Sequence, residues 1–345
     1  FAAAKEMQRR IVQAGYPLDV DTMPSSPDLA RWFERSNVEL MLYPSHTPLA
    51  FEVGIPYVMA MHDIAHRSLP EFPETAGGLC WEWAEHTCRN GARHSTLLLA
   101  DSEVGREDIL EIYGRYGVTE DRVKVLPFVP PPYLKTNVSP EERLQVRTKY
   151  GLPARYLFYP GEIVPHKNHA QIIRALNAIQ ERCQATIPLV LCGFLRGAYR
   201  QEYFADVRRF AERRGLLASL HYLDYVPDED MSALYAEATA LVMPTFLGPT
   251  NLPICEAWAC DCPVVTSDIR GIREQVGDAA ILVDPRSIEG LADGIHRLWT
   301  DEGLRQELVR RGRQRLAAYT FEDFCARLNQ ILIEAKARLR AAGTR

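Results

Sequence analysis

The sequence predicts an α/β protein of two doubly wound domains, each built on a parallel β-sheet. In the second half of the chain, short β-branched or apolar runs alternate with amphipathic helical segments. These runs are apolar along their whole length, which is typical of parallel strands covered by helices on both faces. Three successive prolines, Pro130–Pro132, form a stiff connector after a first half with the same alternation. We therefore expect an N-terminal domain over residues 1–138 and a C-terminal domain over residues 139–345.

The predicted strands are less distinct in the first half than in the second. In chain order they are Val38–Tyr43, Tyr57–Met61, Thr96–Ala100, Val123–Phe128, Arg155–Pro160, Ile187–Gly193, Leu220–Tyr225, Ala240–Met243, Val264–Ser267 and Ala280–Val283. Between strands, Gln171–Glu181 and Ser287–Trp299 have apolar residues at helical spacing. After Gly312 we expect two further helical stretches, which could pack back on the N-terminal domain. The last one has an apolar stripe of Phe324, Leu328, Ile331 and Ala335.

The composition is that of a globular protein without a membrane span. Of 345 residues, 47% are hydrophobic and 25% charged, and the net charge of −5 argues against a nucleic-acid partner. No apolar run approaches the roughly 20 residues that cross a bilayer. Eight cysteines without a regular framework suggest buried thiols in a reducing cytoplasm. The opening Phe1–Lys5 reads as the middle of a helix, with neither an initiator Met nor a signal peptide, so we expect an N-terminal truncation.

The densest chemical signal is the segment Met243–Ala257. A buried strand ends at Met243, a loop of Gly, Pro and Thr follows, and a helix begins near Leu252. Asn251 is a good N-cap and Pro253 suits the first turn. Free backbone N–H groups at a helix N-terminus favour an anion such as a diphosphate, and Glu256 could accept hydrogen bonds from ribose hydroxyls. The alternative is an ordinary strand–helix turn with an exposed Glu.

A second strand–loop–helix segment, Tyr159–His169, lies on the same edge of the same predicted sheet. It brings Lys167 to the start of a helix. A Lys there supplies a compact cation for a pyrophosphate and would stabilise a phosphate leaving group. The alternative is a solvated surface Lys. Because ligands of doubly wound sheets bind beyond the carboxyl ends of the strands, we expect the site in the cleft between the domains.

These segments resemble the retaining glycosyltransferases of family 4, which have the GT-B fold. Gly161 with Lys167, then Pro253-x-x-Glu256-Ala257, and then Cys262–Ser267 carry the resemblance, and the Gly-Pro-Thr-Asn-Leu-Pro loop resembles one branch of that family. In the first half, Pro56–Asp63, Ser68–Phe72 and Leu99–Glu103 resemble the acceptor-side domain.

The resemblance implies a role for each matching residue. Lys167 would contact the donor diphosphate, Glu256 the ribose, and the backbone of Thr250, Asn251 and Leu252 the phosphate or sugar. His62 would lie over the reacting sugar, so that His62, Lys167 and Glu256 form the catalytic set. The remaining candidate donor-binding positions are Gly161, Asn168 and Gly193.

Two positions depart from the pattern of the family. Gly248 stands where a second Glu is usual, eight residues before Glu256, and Glu162 stands where Arg often follows the first loop glycine. The family's first strand and its glycine-rich loop have no counterpart in this sequence. These departures put the usual role of the first Glu in doubt.

The segment His62-Asp63-Ile-Ala-His66 follows a predicted strand of the first half. Ionisable groups just past a strand are well placed for a binding cleft. We assign His62 to orientation and hydrogen bonding, with a structural loop His as an equal alternative. Asp63 and His66 are weaker acceptor-side candidates.

Several other patterns indicate structure rather than chemistry. Cys80, His86, Cys88 and His94 lack the close spacing of a zinc site, and Cys260-x-Cys262 is most simply packing. Asp19-Val-Asp21 is a D-x-D, a metal-binding signature of a different glycosyltransferase fold, but it precedes a Pro/Ser loop. The basic run Arg310–Arg315 is a solvated helix face that could rest on anionic lipid.

The sequence therefore predicts a retaining, metal-independent transfer of a sugar from a nucleotide-diphosphate donor to a hydroxyl acceptor. The expected partners are a nucleotide sugar and a saccharide or lipid-linked saccharide, with no cofactor and no nucleic acid. The expected location is the cytoplasm, with peripheral membrane contact as an option. The alternatives are a non-catalytic nucleotide-binding subunit and a sugar-nucleotide epimerase of the same fold; a pyridoxal-type phosphorylase would need a cofactor lysine that no motif indicates.

Overall fold

The structure is a computed structural model that describes most of the chain. The described residues are Arg31, Phe33 and residues 35–77 and 80–343. The helix expected at the start of the chain and the D-x-D at positions 19–21 lie outside them.

The chain divides into two compact units. Of the described residues, unit 1 contains those up to Ala100, then Arg106–Val125 and those from Asn329 onward. Unit 2 contains Asp101–Gly105 and Leu126–Leu328. Each unit has its own sheet and its own hydrophobic core.

Unit 1 is built around a parallel sheet that has four strands in the described part of the chain. The elements are β1 (Met41–Tyr43), α1 (Leu49–Glu52), β2 (Tyr57–Ala60), α2 (Ala65–Ser68), α3 (Pro73–Ala76), α4 (Cys80–His94), β3 (Leu97–Ala100), α5 (Glu103–Tyr113) and β4 (Val123–Val125). The first residues of α5, 103–105, are counted with unit 2. The strands lie in the order β1-β2-β3-β4, and the central β2 and β3 are buried throughout. Burial on both faces explains why these strands are continuously apolar.

Unit 2 is built around a larger parallel sheet covered by helices. Its elements are α6 (Pro140–Lys149), β5 (Leu157–Pro160), α7 (His169–Cys183), β6 (Leu189–Cys192), α8 (Ala198–Arg213), β7 (Leu220–Tyr222), α9 (Asp228–Glu237), β8 (Ala240–Met243), α10 (Leu252–Ala259), β9 (Val264–Ser267), α11 (Arg270–Val276), β10 (Ile281–Val283), α12 (Ile288–Thr300), α13 (Glu302–Ala317) and α14 (Phe321–Gly343). The residues of α14 from Asn329 onward are counted with unit 1. All strand pairs in the sheet are parallel.

The strand order of unit 2 contains a reversal that positions the candidate site. The order is β10-β9-β8-β5-β6-β7, so the chain leaves β5 toward one side of the sheet and returns to its other side at β8. At such a switch point the loops after the two neighbouring strands diverge, and they leave a crevice at the carboxyl ends of the strands. The crevice between β5 and β8 is therefore the binding location that the topology favours.

The predicted strands are confirmed, although most of them are shorter than predicted. All ten predicted strands are present and the sheets are parallel. Strand β4 ends at Val125 rather than Phe128, because Pro127 has no N–H to continue a ladder. The apolar stripe on α14 is also confirmed, with Ile331 and Ala335 buried.

Two sequence-based expectations about local structure were wrong. Two helices were expected after Gly312, but in the described part of the chain only α14 begins there, because α13 runs through Gly312 to Ala317. A Cβ at Gly312 would lie 2.3 Å from the Trp258 ring, so Gly here permits close helix packing inside the helix. The thiols are not all buried: Cys80, Cys183 and Cys325 lie exposed on helices, and all eight cysteines are free.

Candidate functional site

The loops after β5 and β8 begin next to each other in unit 2. Leu157 and Phe158 of β5 pair with Ala240 and Leu241 of β8 in parallel register. One loop leads to Lys167 and the other leads to α10 and Glu256. The backbone N–H of Phe246, in the second loop, donates to the carbonyl of His166 at 2.8 Å. The two loops are thus joined by a direct hydrogen bond.

Lys167 lies at the end of a short 3₁₀ turn, Pro165–Lys167, just before α7. A hydrogen bond from the Tyr159 hydroxyl to the Lys167 carbonyl, at 3.0 Å, holds this turn in place. Asn168 follows in the left-handed region with φ of 64°, a conformation that Asn tolerates better than most residues. The buried Asn168 amide donates to the carbonyls of Pro244 and Pro285, both at 2.9 Å. Asn168 therefore orients the Lys167 turn with its side chain turned into the protein.

The loop before α10 has a different local structure from the one expected at Asn251. Asn251 has an extended backbone and precedes Pro253 at the helix start, as predicted, but its side chain makes no capping bond and donates to the Leu247 carbonyl instead. The Asn251 N–H donates to Gln275 Oε1 at 2.9 Å, and Gln275 Nε2 donates back to the Asn251 carbonyl at 2.9 Å. The Thr250 hydroxyl donates to Asp101 Oδ2 at 2.5 Å. The expectation of a free N–H at Asn251 was thus wrong, because Gln275 from α11 occupies it.

Gly248 has a backbone conformation that explains the absence of Glu. Its φ is 143°, which L side chains rarely adopt. A Cβ at this position would lie 2.2 Å from Asn251 Nδ2 and 2.9 Å from the Thr250 carbonyl oxygen. This loop conformation therefore requires Gly at the position.

Glu256 is buried, with 6% of its surface exposed, so the alternative of an exposed Glu was wrong. Its Oε2 accepts from the Tyr235 hydroxyl at 2.6 Å, and its Oε1 accepts from the Tyr133 hydroxyl at 3.1 Å. Burial raises the pKa of Glu256, the two tyrosine hydrogen bonds oppose this, and Asp228 adds to the rise. Each carboxylate oxygen has a further lone pair, so Glu256 can still accept hydrogen bonds from a ligand.

Gly161 and Gly193 form a close backbone contact between the ends of β5 and β6. The Gly161 N–H donates to the Cys192 carbonyl at 2.8 Å. A Cβ on Gly193, whose φ is 141°, would lie 1.9 Å from the Gly161 carbonyl oxygen. The contact requires glycine at position 193. Glu162, which stands in place of the usual Arg, pairs with Arg200 at 3.0 Å.

In unit 1, His62 and Asp63 follow β2 and lie near a histidine that the sequence analysis did not select. His62 Nε2 donates to the Pro44 carbonyl at 2.8 Å, and Asp63 Oδ1 accepts from the Ala65 N–H at the start of α2. Burial lowers the pKa of His46, and the charges of Asp63, His62 and His66 also act on it, so these side chains form one cluster. Among the described residues His46 Nδ1 is buried without a hydrogen-bond partner.

His66 belongs to the same cluster but is turned into the core of unit 1. It is 4% exposed, and its Nε2 lies 3.1 Å from Glu85 Oε2. Arg67 contacts both oxygens of Glu85, and the Tyr113 hydroxyl donates to the same carboxylate at 3.2 Å. His66 and Arg67 lower the pKa of Glu85 to about 2 against the effect of burial. His62 and Asp63 are therefore more accessible to a ligand than His66.

The cysteine pair and the basic run, which the sequence analysis interpreted as structural, are accounted for by packing and ion pairs. Cys260 and Cys262 are buried in the core of unit 2. In the basic run on α13, Arg310 and Arg311 contact Glu307, and Arg313 binds Asp261 through two hydrogen bonds. Across the described ranges, no group of three or more His, Cys, Asp or Glu side chains has the arrangement of a metal site. The helices in the same ranges include none that is long and apolar enough to span a membrane.

The family model for glycosyl transferases group 1 matches residues 143–315. The match includes the Lys167 turn, the Gly248 loop and Glu256. The chain belongs to the glycosyl transferases group 1 family.

Relatives of this glycosyl transferase chain agree with that membership. The O-antigen chain mannosyltransferase B of Escherichia coli is 30% identical over 268 residues, which are 77% of this chain and 67% of that protein. The uncharacterized glycosyltransferase MJ1607 of Methanocaldococcus jannaschii is 26% identical over 204 residues, 58% of this chain and 50% of that protein. This chain thus spans about two thirds of the first relative and half of the second.

A solved structure shows the fold of this glycosyl transferase chain. Anabaena Alr3699/HepE in complex with UDP and glucose superposes with a TM-score of 0.70 at 20% identity, over 89% of this chain and 80% of that one. The fold class is GT-B, with two parallel-sheet α/β domains, as the sequence predicts.

Several residues of the site were not selected from the sequence. Tyr133, Tyr235 and Gln275 bind Glu256 or Asn251, and His46 lies beside His62. Of these four residues, only Tyr133 could have been found from the sequence, because it directly follows the three prolines. The others occupy ordinary helix or loop positions, and only the folded chain brings them to the site.

Proposed function

We propose that the protein is a retaining, metal-independent glycosyltransferase of family 4, in the branch with a Gly-Pro-Thr-Asn-Leu-Pro loop. Its donor would be a nucleotide-diphosphate sugar and its acceptor a hydroxyl group. The observation that carries the proposal is the β5/β8 switch point, where the Lys167 turn is joined to the loop that leads to the buried Glu256.

The donor would bind along the carboxyl ends of the unit 2 strands. The Lys167 ammonium and the N-terminus of α10 would attract the diphosphate, since both present positive charge at the switch point. As the bond from sugar to phosphate breaks, negative charge grows on the leaving diphosphate, and a fixed cation stabilises that charge. Glu256, held by Tyr235, would accept hydrogen bonds from the ribose hydroxyls at its remaining lone pairs. Asn168, Gly161 and Gly193 would shape the backbone around the donor.

The acceptor side is assigned to the cluster after β2. His62 would orient the acceptor or the reacting sugar, with Asp63 beside it. The name of the Escherichia coli relative favours a saccharide acceptor of the O-antigen type, free or linked to lipid. We infer that the reaction needs no cofactor and takes place in the cytoplasm, where eight free thiols would persist.

The first test is nucleotide binding by thermal shift, with UDP, GDP, dTDP and ADP on the whole chain. A ligand at 100 times its Kd adds about 2.7 kcal/mol of stability, which is visible in the Tm. We expect one nucleotide to raise the Tm of the wild type and the shift to vanish in Lys167→Ala. Lys135→Ala is the matched control, because Lys135 is an exposed lysine of the same unit that pairs with Glu142. Equal shifts in wild type and Lys167→Ala would contradict the assignment of Lys167.

Turnover separates the proposal from its main alternative. Gly248 replaces a Glu that is usual in the family, which favours a non-catalytic nucleotide-binding subunit as the second candidate. We expect transfer from the matching nucleotide sugar to a saccharide acceptor in the presence of EDTA, with the donor's anomeric configuration retained in the product by NMR. Tight nucleotide binding without transfer to any acceptor would favour the subunit. Conversion of the sugar without transfer would favour an epimerase.

A further inference from the structure

Unit 2 has a groove at the amino ends of its central strands, at the opposite end of the sheet from the Lys167 turn. The groove has a volume of about 690 Å³, within the range of about 300–1,000 Å³ for small-molecule sites. The strand side of the groove contains Arg155, Thr239 and Pro263, which lie just before β5, β8 and β9. Strand β5 spans about 13 Å, so the groove is separate from the candidate donor site.

One face of α13 forms the other wall of this groove. The helix lines the groove at positions three or four residues apart, which is the spacing of a single helical face. Arg305 and Gln306 lie on this face, and Arg313 and Gln314 repeat the pair about two turns later. The buried Leu308 lies on a different face and packs in the core of unit 2. The polar stripe of α13 is therefore directed at the groove.

The groove has a net positive charge, because four arginines and two carboxylates line it. Arg313 binds Asp261 through two hydrogen bonds. Arg305 binds Glu302. Arg155 has a different environment, since it makes no ion pair with any carboxylate of the described residues and contacts Trp299 instead. Its charge is thus the least neutralised one in the groove.

Arg155 is held in place and keeps most of its hydrogen-bonding capacity. Its Nη2 donates to the Trp299 carbonyl at 2.6 Å, and its guanidinium lies 4.2 Å from the centre of the Trp299 ring. Arg305 Nη1 donates to the same carbonyl at 3.3 Å, so two guanidinium groups converge at the end of α12. A guanidinium has five N–H groups in a planar fork that fits phosphate oxygens, and Arg155 uses one of them here.

We propose that this groove is a second binding site of the chain, for a soluble saccharide that carries a phosphate monoester. Arg155, with Arg305 beside it, binds the phosphate through charge-assisted hydrogen bonds. The amides of Gln306 and Gln314 suit sugar hydroxyls, because each amide offers both a donor and an acceptor. The recessed position between the strand ends and α13 fits a small molecule better than the flat surface of a membrane.

The experiment measures binding of glucose 6-phosphate to the whole chain by isothermal titration calorimetry, with inorganic phosphate and glucose as partial ligands. We expect glucose 6-phosphate to bind more tightly than inorganic phosphate, and glucose to show no binding. Arg155→Gln should weaken glucose 6-phosphate by about 10- to 150-fold, the range for the loss of a hydrogen bond to a charged group. Gln306→Glu should also weaken it, because this exposed side chain keeps its shape and gains a negative charge.

The matched control is Arg209→Gln, since Arg209 is an exposed arginine on α8 that pairs with Asp206. Lys167→Ala separates the groove from the candidate donor site. Both variants should bind glucose 6-phosphate as wild type does. The test does not depend on nucleotide binding, so its result and that of the proposed function are distinguishable.

Four results would overturn the inference. Wild type could fail to bind glucose 6-phosphate, or it could bind no more tightly than Arg155→Gln and Gln306→Glu, which would leave the arginines as caps of α12. Loss of binding in Lys167→Ala alone would move the ligand to the donor site. Binding to vesicles of phosphatidylcholine and phosphatidylglycerol, without binding of glucose 6-phosphate, would make this face a membrane contact.

Discussion

His169, the first residue of α7, is a neutral imidazole in the core of unit 2. It is 0% exposed, its ring stacks on Tyr159 with centroids 4.9 Å apart, and neither ring nitrogen has a hydrogen-bond partner among the described residues. Burial lowers the pKa of His169 to about 3, and the charge of Lys167 contributes in the same direction. The backbone of Val164 opposes the shift, but the contact does not reach hydrogen-bond geometry. Protonation of this ring is therefore costly in the folded state.

Replacing His169 by Phe keeps the stacked ring and removes the titration. In the unfolded chain the imidazole binds a proton with an ordinary pKa of 6.5, whereas the folded chain resists protonation down to about pH 3. The unfolded state thus binds more protons in this interval, so stability falls as the pH falls below 6.5. Between pH 8 and pH 5 this one group lowers the free energy of unfolding of the wild type by about 2 kcal/mol. His169→Phe should lose about 2 kcal/mol less over the same interval.

The assay is urea unfolding of wild type and His169→Phe at pH 8 and pH 5. Only the difference between the two pH dependences is compared, since other groups titrate equally in both proteins. His221→Phe is the matched control: burial lowers the pKa of His221 too, but this residue of β7 is partly exposed and should change the slope less. Parallel pH dependences of wild type and His169→Phe would refute the reasoning.

Two further predictions concern the donor loop and the carboxylate beside it. Gly248→Glu, which introduces the Glu usual in the family, should lower stability by about 1–3 kcal/mol and weaken nucleotide binding, because the loop requires positive φ; an unchanged Tm and Kd would show that the loop is more adaptable. Tyr235→Phe removes a 2.6 Å hydrogen bond that lowers the pKa of Glu256, so that pKa should rise. Nucleotide binding should then weaken at a higher pH than in wild type as the pH falls, and an unshifted Kd–pH profile would exclude a role for the ionised Glu256.

The fold could be predicted because its signals are local. Most parallel strands of unit 2 are apolar runs ended by Gly, Pro or Ser, and most of its long helices have an apolar stripe, so residues within about ten positions of one another carry the information. The positions of Lys167 and Glu256 followed from the same rule, because each lies on the loop–helix segment after one of two strands that are neighbours in the sheet. Their roles in binding and transfer remain predictions.

The failures have physical reasons that can be named. Asn251 is suited to an N-cap, but a side chain 24 positions later takes its N–H, and capping preference is only a local tendency. Gly is a poor residue for a helix interior by propensity, yet Gly312 lies inside α13, where the Trp258 ring leaves no room for a Cβ. In both cases a contact between distant segments was stronger than the local preference.

The sequence by itself determined the alternation of strands and helices, the parallel sheets and the two loops that carry Lys167 and Glu256. Only the tertiary structure decided how those residues are held. Tyr133 reaches Glu256 across 123 positions of sequence, and Gln275 reaches the Asn251 N–H across 24. Burial, hydrogen-bond partners and stacking depend on the distance in space between segments, and that distance is fixed when the helices and strands pack together.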